Sequence, residues 1–238
     1  MMPRPRPRPR PHPHRGRDPG EPGPEKLVEA ARAAGVTDAR LLRALRATPR
    51  VAFVPVSHRA SAYVDVPVPI AHGQVTTQPS LVAMMVAALG LTGDEHVLEV
   101  GSGLGFQTAL LARLAADVVG VERWADLAER ARANLAGQDM ENVEIVVGDG
   151  TLGAPDRAPF DAIVVSAAFP EVPPPLAAQL RVGGRLVQPI GPGGQELVEL
   201  YERTRRGLVR RRTVVPAHFV RLYGAYGYSP PGPFGETR

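Results

Sequence analysis

The chain has 238 residues, 44% of them hydrophobic, enough to bury one sizeable core in a single α/β domain. No apolar run approaches the roughly 18 residues of a membrane span and no apolar signal core opens the chain, so a soluble, cytoplasmic protein without a membrane partner is expected; the lack of Cys excludes disulfides, thiolate metal ligands and a thiol nucleophile. Of the 28 basic and 24 acidic residues, six Arg and two acids lie in residues 1–24, which leaves 22 of each in 25–238 and gives the domain no electrostatic signature of nucleic-acid binding.

Residues 1–24 alternate Pro with Arg or His, as in Pro3-Arg4-Pro5-Arg6-Pro7-Arg8, and offer almost nothing apolar. That composition predicts a disordered, polyproline-II-prone arm. The domain is expected over 25–228, with a flexible tail at 229–238. Residues 25–47 read as two short helices separated at Gly35. Leu27, Ala31 and Ala34 share a face of the first, Leu41, Leu42 and Leu45 a face of the second, and Thr37 is the expected N-cap of the second. Arg50 to Gly73, rich in Pro and β-branched residues, predicts an extended connection, and Pro79 to Leu89 predicts a helix with Pro79 in its first turn.

From His96 onward strand and helix signals alternate. Val97–Val100, Val118–Val121, Val143–Val147 and Ile163–Val165 read as buried strands; Phe106–Leu114, Ala125–Leu135 and Leu176–Leu180 read as the helices between them. This rhythm predicts a parallel sheet covered on both faces. After Gly183-Gly184, three β-rich runs (Arg185–Ile190, Glu196–Tyr201, Leu208–Val215) predict antiparallel strands at the end of the sheet. His58, His72 and His218 lack metal-ligand spacing, so no metal site is expected; Trp124 and the Met84-Met85 pair read as core or pocket wall.

The most informative segment is Val97-Leu98-Glu99-Val100-Gly101-Ser102-Gly103-Leu104-Gly105, a buried strand that feeds a glycine-rich turn and then a helix. Glycines there permit a tight turn and close approach of a ligand to the backbone. Their spacing, G-x-G-x-G followed by Phe106, departs from the dinucleotide pattern. An acid two residues before the first glycine, Glu99, suits a ligand carrying an amino-acid ammonium and would repel a pyrophosphate. S-adenosylmethionine is such a ligand. Glu122, at the end of the next strand and followed by Arg123, could accept from both hydroxyls of a ribose; Asp149 and the backbone of Gly150, after the third strand, could read an adenine edge.

Several blocks carry a family likeness. Arg50-Val51-Ala52-Phe53-Val54-Pro55, Ala62-Tyr63-Val64-Asp65, Pro69-Ile70, Gly73-Gln74, Gln78-Pro79, Val97 to Gln107, Gly148-Asp149-Gly150, Pro159 to Ile163 and Gln179 to Val187 resemble the ordered blocks of protein-L-isoaspartate O-methyltransferases, from about residue 27 to about 227. The resemblance implies a Rossmann-like class I S-adenosylmethionine-dependent methyltransferase fold, a mostly parallel sheet with antiparallel C-terminal strands and extra N-terminal helices. It implies that Thr77 takes the place of the family's active-site Ser, with Gln74, Val75 and Thr76 lining the cofactor pocket. Ile70, Gly73, Val220 and Arg221 fall where the peptide substrate is bound. The chain departs from the family at Thr77, which keeps the hydroxyl and adds a methyl, at Ala71 in place of Gly, and at Arg221 in place of Pro.

The implied reaction moves a methyl group to the carboxylate of an isoaspartyl residue in a damaged protein or peptide, leading to repair through a succinimide, and the enzyme is expected to act as a monomer. A carboxyl group with a pKa of about 4 is ionised at neutral pH, so no general base is needed. Thr77, just ahead of Pro79, should lie at a helix N-terminus where free N–H groups favour an anion, either the attacked carboxylate or that of the cofactor. Three other readings remain open. One is a relative that methylates a normal aspartate of a dedicated peptide. Another is a non-catalytic S-adenosylmethionine-binding module. The third is a nucleic-acid methyltransferase, disfavoured because Val165-Ser166-Ala167-Ala168-Phe169-Pro170 replaces the expected Asn/Asp-Pro-Pro-aromatic motif.

Overall fold

A computed structural model describes residues 23–192 and 194–229. The arm and the tail therefore lie outside the described residues except for 23, 24 and 229, and Pro24 is already the first residue of helix α1 (Pro24–Ala33), where its fixed φ and missing N–H are harmless. Helix α2 (Ala39–Ala47) follows. Its N-cap is Asp38 and not Thr37: the Asp38 carboxylate accepts from the backbone N–H of Arg40 at 2.7 Å and Leu41 at 3.2 Å, one residue further on than the sequence suggests.

The segment expected to run extended from Arg50 to Gly73 is instead wound into 3₁₀ turns at Arg50–Phe53, Val56–Ser61 and Ala71–Gly73. Pro49 and Pro55 stand immediately before the first two, and the first turn rolls Phe53 fully into the core. A short antiparallel pair follows, β1 (Val68–Pro69) with β2 (Val75–Thr76). Helix α3 (Pro79–Leu89) begins and ends where the sequence places it. Eight of its eleven residues are buried, and it stops at Gly90, whose left-handed φ of 62° suits glycine. A Cβ there would meet the Arg185 guanidinium, which closes the helix by donating to the Leu89 carbonyl at 3.1 Å.

The remaining chain builds one sheet. Strands β3 (His96–Val100), β4 (Asp117–Glu122), β5 (Val143–Val147), β6 (Phe160–Val165) and β7 (Leu180–Ile190) run parallel, β8 (Glu196–Thr204) adds antiparallel to β7, and β9 (Gly207–Ala217) adds antiparallel to β8. Strand order is β5-β4-β3-β6-β7-β8-β9. Helices α4 (Phe106–Ala112), α5 (Ala125–Ala136) and α6 (Pro174–Gln179) are the crossovers. The period of two divides the strands between two cores. Val97, Ala162 and Val164 pack with α1 to α5, whereas Leu98, Val100, Ile163 and Val165 pack on the opposite face with Leu176 of α6. The chain leaves β3 toward β4 and later returns to β6 on its other side, so a crevice opens beyond the carboxyl ends of β3 and β6, where open α/β sheets bind ligands. Among the described residues no helix is long and apolar enough to cross a membrane.

Candidate active site

That crevice is a cleft of about 950 Å³, partly open to solvent. Its floor is the turn after β3. Gly101, Gly103 and Gly105 have φ of 89°, 54° and 93°, a left-handed run that side chains with a Cβ resist, which is the physical reason for the G-x-G-x-G spacing. Gly101, Gly103 and Leu104 line the cleft, and Gly105 does not: it faces Leu135, which a Cβ would meet at 3.3 Å.

Glu99 lies fully buried at the cleft wall. Its carboxylate accepts from Gln107 Nε2 at 2.9 Å and from the Thr108 hydroxyl. Burial pushes its pKa up to about 7, only partly offset by those two donors. Glu122 also lines the cleft and fixes the glycine turn, Oε2 accepting from Gly103 N at 2.9 Å and Oε1 from Trp124 N at 3.0 Å. Burial raises its pKa as well, against the pull of those N–H donors.

Asp149 stands after β5, outside the residues that line the cleft, with its carboxylate engaged by the protein itself. Oδ1 accepts from Thr151 N at 2.9 Å and the Thr151 hydroxyl at 2.6 Å, and Oδ2 accepts from Ala225 N at 2.7 Å. Burial works to raise its pKa, yet the Thr151 and Ala225 bonds and the nearby Arg123 hold it below the ordinary carboxylate value. Asp149 thus ties down the C-terminal loop, and its neighbour Gly150 faces the cleft.

The opposite wall comes from Ile70 and from Gln74, Val75, Thr76 and Thr77; Gly73 is not part of it. The Thr76 hydroxyl is already engaged, accepting from Arg50 Nη2 at 2.9 Å and Val68 N at 3.3 Å. Thr77 lies one residue ahead of the α3 N-cap, Gln78, which makes no side-chain cap. Part of this helix end is taken by the protein's own Asp65, so the Ser80 N–H is not free for a ligand carboxylate: Oδ1 accepts from Ser80 N at 2.8 Å and Oδ2 from Gln78 Nε2 at 2.8 Å. Asp65→Ala is expected to cost about 1–2 kcal/mol, the usual value of a lost cap, read by urea denaturation; a loss under about 0.5 kcal/mol, within the spread of ordinary surface changes, would show that the cap is idle.

Val220 and Arg221 close the third side, held by Ala168, whose N–H donates to Val220 O at 2.7 Å and whose carbonyl accepts from Leu222 N at 2.8 Å. Arg221 lies over the Tyr228 ring at 5.0 Å, and Arg123 lies against both Trp124 and Tyr223, at 5.0 and 5.2 Å. A second cavity of about 1070 Å³ adjoins the first, and Val75, Thr77, Ser166 and Val220 line both. Thr77 and Ser166 are the two hydroxyl-bearing residues of that shared wall.

Sequence reasoning passed over several residues of this site. Arg50 is wholly buried and laces the cleft wall together, donating to the carbonyls of Ala62, Val64 and Val66 as well as to Thr76. His72, which the sequence marks only as lacking metal-ligand spacing, stacks on Trp124 with ring centroids 3.9 Å apart and pairs with Asp126 at 2.8 Å, which pins the turn before Gln74 to α5. Trp124 is a wall residue, as expected. Ser102 and Ser166 also line the cleft. A lone Arg in an apolar run was a signal for Arg50; the serines left none.

The sequence model of the protein-L-isoaspartate(D-aspartate) O-methyltransferase family matches residues 23–226. The protein-L-isoaspartate O-methyltransferase of Methanoculleus marisnigri is 50% identical over 206 residues, covering 86% of this chain and 93% of that protein. That of Anaeromyxobacter dehalogenans is 50% identical over 190 residues, covering 79% and 91%. A solved protein-L-isoaspartate O-methyltransferase superposes with a TM-score of 0.76 at 30% identity, over 86% of this chain and 67% of its own. A Plasmodium falciparum structure, described as a candidate of the same enzyme class in complex with S-adenosyl-L-homocysteine, shares the fold with a TM-score of 0.72 at 21% identity, over 84% and 97%.

Proposed function

The chain belongs to the protein-L-isoaspartate(D-aspartate) O-methyltransferase family, and from that premise we propose how its cleft divides the work of methyl transfer. It is an S-adenosylmethionine-dependent enzyme that methylates the free carboxylate of L-isoaspartyl residues in damaged proteins or peptides, the step that opens repair through a succinimide. When bound, S-adenosylmethionine supplies a methyl group on a sulfonium sulfur.

The residues fit that cofactor. Glu99 is a buried carboxylate paired with no cation among the described residues, suited to an ammonium. Val100, Leu104, Val121 and Leu127 offer apolar wall, and Ser102 Oγ and Trp124 Nε1 are buried polar atoms without partners among the described residues. We assign the ammonium to Glu99, the ribose hydroxyls to Glu122 with Arg123 beside it, and the close backbone approach to Gly101, Gly103 and Leu104, with Gly105 completing the turn. Gly150 serves the adenine edge, positioned by Asp149. Gln74, Val75 and Thr76 form the wall shared with the substrate, and Ile70, Val220 and Arg221 border the peptide, with Gly73 in the turn that leads into that wall. The balanced charge of 25–238 supports a protein substrate over a nucleic acid.

The observation that carries this reading is that Thr77 belongs to a wall shared by two adjoining cavities, one of them lined by the buried acids Glu99 and Glu122. A carboxylate placed there needs no base, only alignment, and alignment can lower a barrier by up to about 7–11 kcal/mol. Labelled methyl transfer to two peptides differing only in isoaspartate or aspartate tests it: transfer to the isoaspartyl peptide is expected, and preference for the aspartyl one would overturn the repair assignment. In Thr77→Ala, kcat is expected to fall about tenfold or more, the worth of one hydrogen bond to a charged group, with S-adenosylhomocysteine affinity unchanged. Unchanged turnover would reduce Thr77 to a loop residue.

A further inference from the structure

Ser166 follows β6 directly, and the parallel pairing of Val165 with Val100 brings it beside the glycine turn, where its N–H donates to the Val100 carbonyl at 2.9 Å. A Cβ on Gly101 would lie 3.5 Å from the Ser166 Cβ, so the serine is packed against the turn and its place is set by both strands. Its Oγ accepts from Gln107 Nε2 at 3.0 Å, and the same nitrogen donates to Glu99 Oε1 at 2.9 Å. An amide nitrogen carries two protons. Both are spent, one on the buried carboxylate and one on the serine, and turning the amide over would set its oxygen against the ionised Glu99 carboxylate. Ser166 is therefore an acceptor toward Gln107, and its own proton remains to be donated. Ser166 belongs to the wall that both cavities share, so a ligand in the cleft can reach that proton.

We propose that Ser166 is a second hydroxyl of the acceptor site, donating a hydrogen bond to one oxygen of the isoaspartyl carboxylate while the other oxygen faces the methyl group. The inference rests on the methyl-transfer reading of the cleft and adds a residue that neither the glycine turn nor the Thr77 segment contains. The chemistry balances without Ser166 changing its protonation. The acceptor oxygen gains a C–O bond, the C–S bond breaks with its electron pair left on sulfur, and the sulfonium becomes a neutral thioether. Holding one oxygen stops rotation of the carboxylate out of line, and the Gln107 bridge keeps the serine oxygen from turning away.

The test compares Ser166→Ala, Ser166→Cys and Ser166→Thr on an isoaspartyl peptide, with S-adenosylhomocysteine binding followed by calorimetry. Alanine and cysteine are expected to lose about ten- to a hundredfold in kcat/KM, the range for a hydrogen bond to a charged group. Threonine, which keeps the hydroxyl, is expected to recover most of it, and all three should bind S-adenosylhomocysteine within about twofold of the parent, a change worth only about 0.4 kcal/mol. Alanine and cysteine variants as active as the parent would overturn the proposal and leave the methyltransferase reading standing. Activity lost in step with S-adenosylhomocysteine affinity would also overturn it, placing Ser166 with the cofactor through Gln107. A parent protein that binds no S-adenosylhomocysteine would instead bring down the reading beneath it.

Discussion

Glu99→Gln is expected to weaken S-adenosylhomocysteine binding by about ten- to a hundredfold at pH 8 and, at the same pH, to make the protein more stable. Both effects have one origin. The Glu99 carboxyl is completely buried, and burial lifts its pKa from the ordinary 4.5 to about 7. A carboxyl group whose pKa is higher in the folded than in the unfolded protein keeps its proton longer when folded. Stability is then highest below the unfolded value, falls as pH rises from about 4.5 to about 7, and is fully lost from this group above 7. A shift of that size corresponds to about 3 kcal/mol, and glutamine does not ionise. Its oxygen can accept from Gln107 and its nitrogen can donate to Thr108, so the neutral replacement keeps both contacts. Thermal denaturation should show the two proteins alike at pH 5 and the variant ahead at pH 8 by several degrees, since 1 kcal/mol is worth about 2–4 °C in a domain of this size.

The same charge sets the pH dependence of binding. An ammonium in the cleft calls for the ionised form of Glu99, so affinity in the parent should weaken as pH falls below about 7, by up to about tenfold per unit, and this slope should vanish in Glu99→Gln. Equal stability of the two proteins at pH 8 would mean that burial does not lift the Glu99 pKa, and a slope that survives the substitution would mean that Glu99 is not the ammonium partner.

Arg50→Ala should lower the melting temperature by on the order of 10 °C, from a loss of about 3–5 kcal/mol. Burial draws the guanidinium pKa down to about 10, partly countered by Asp65, so the group is still a cation at neutral pH. Its keep comes from four acceptors, at Ala62, Val64, Val66 and Thr76, and from the face of Phe106 at 5.7 Å. Removing it leaves these buried oxygens unpaired and a cavity behind the cleft wall. Because Thr76 adjoins Thr77, the KM for peptide should rise along with the loss of stability. Lysine should rescue little, as one ammonium cannot span acceptors arranged for a planar fork. A variant within about 1 kcal/mol of the parent, the average effect of a random substitution, would show that the wall holds without Arg50.

The parallel sheet, its antiparallel end, helix α3 to the residue and the left-handed glycine turn were legible in the chain alone, because hydrophobic period and glycine spacing are properties of neighbours in sequence. Glu99 and Glu122 were legible for the same reason: each stands at the end of a strand that the period reveals. Tertiary contacts decided the rest. Asp65 reaches the start of α3 across fifteen residues, Ala225 takes a carboxylate oxygen of Asp149 from 76 residues away, and Gln107 meets Ser166 over 59. Those partners are chosen by where the strands and turns bring side chains, and the desolvation that raises Glu99, like the wall that two cavities share at Thr77 and Ser166, exists only once the sheet has closed around them.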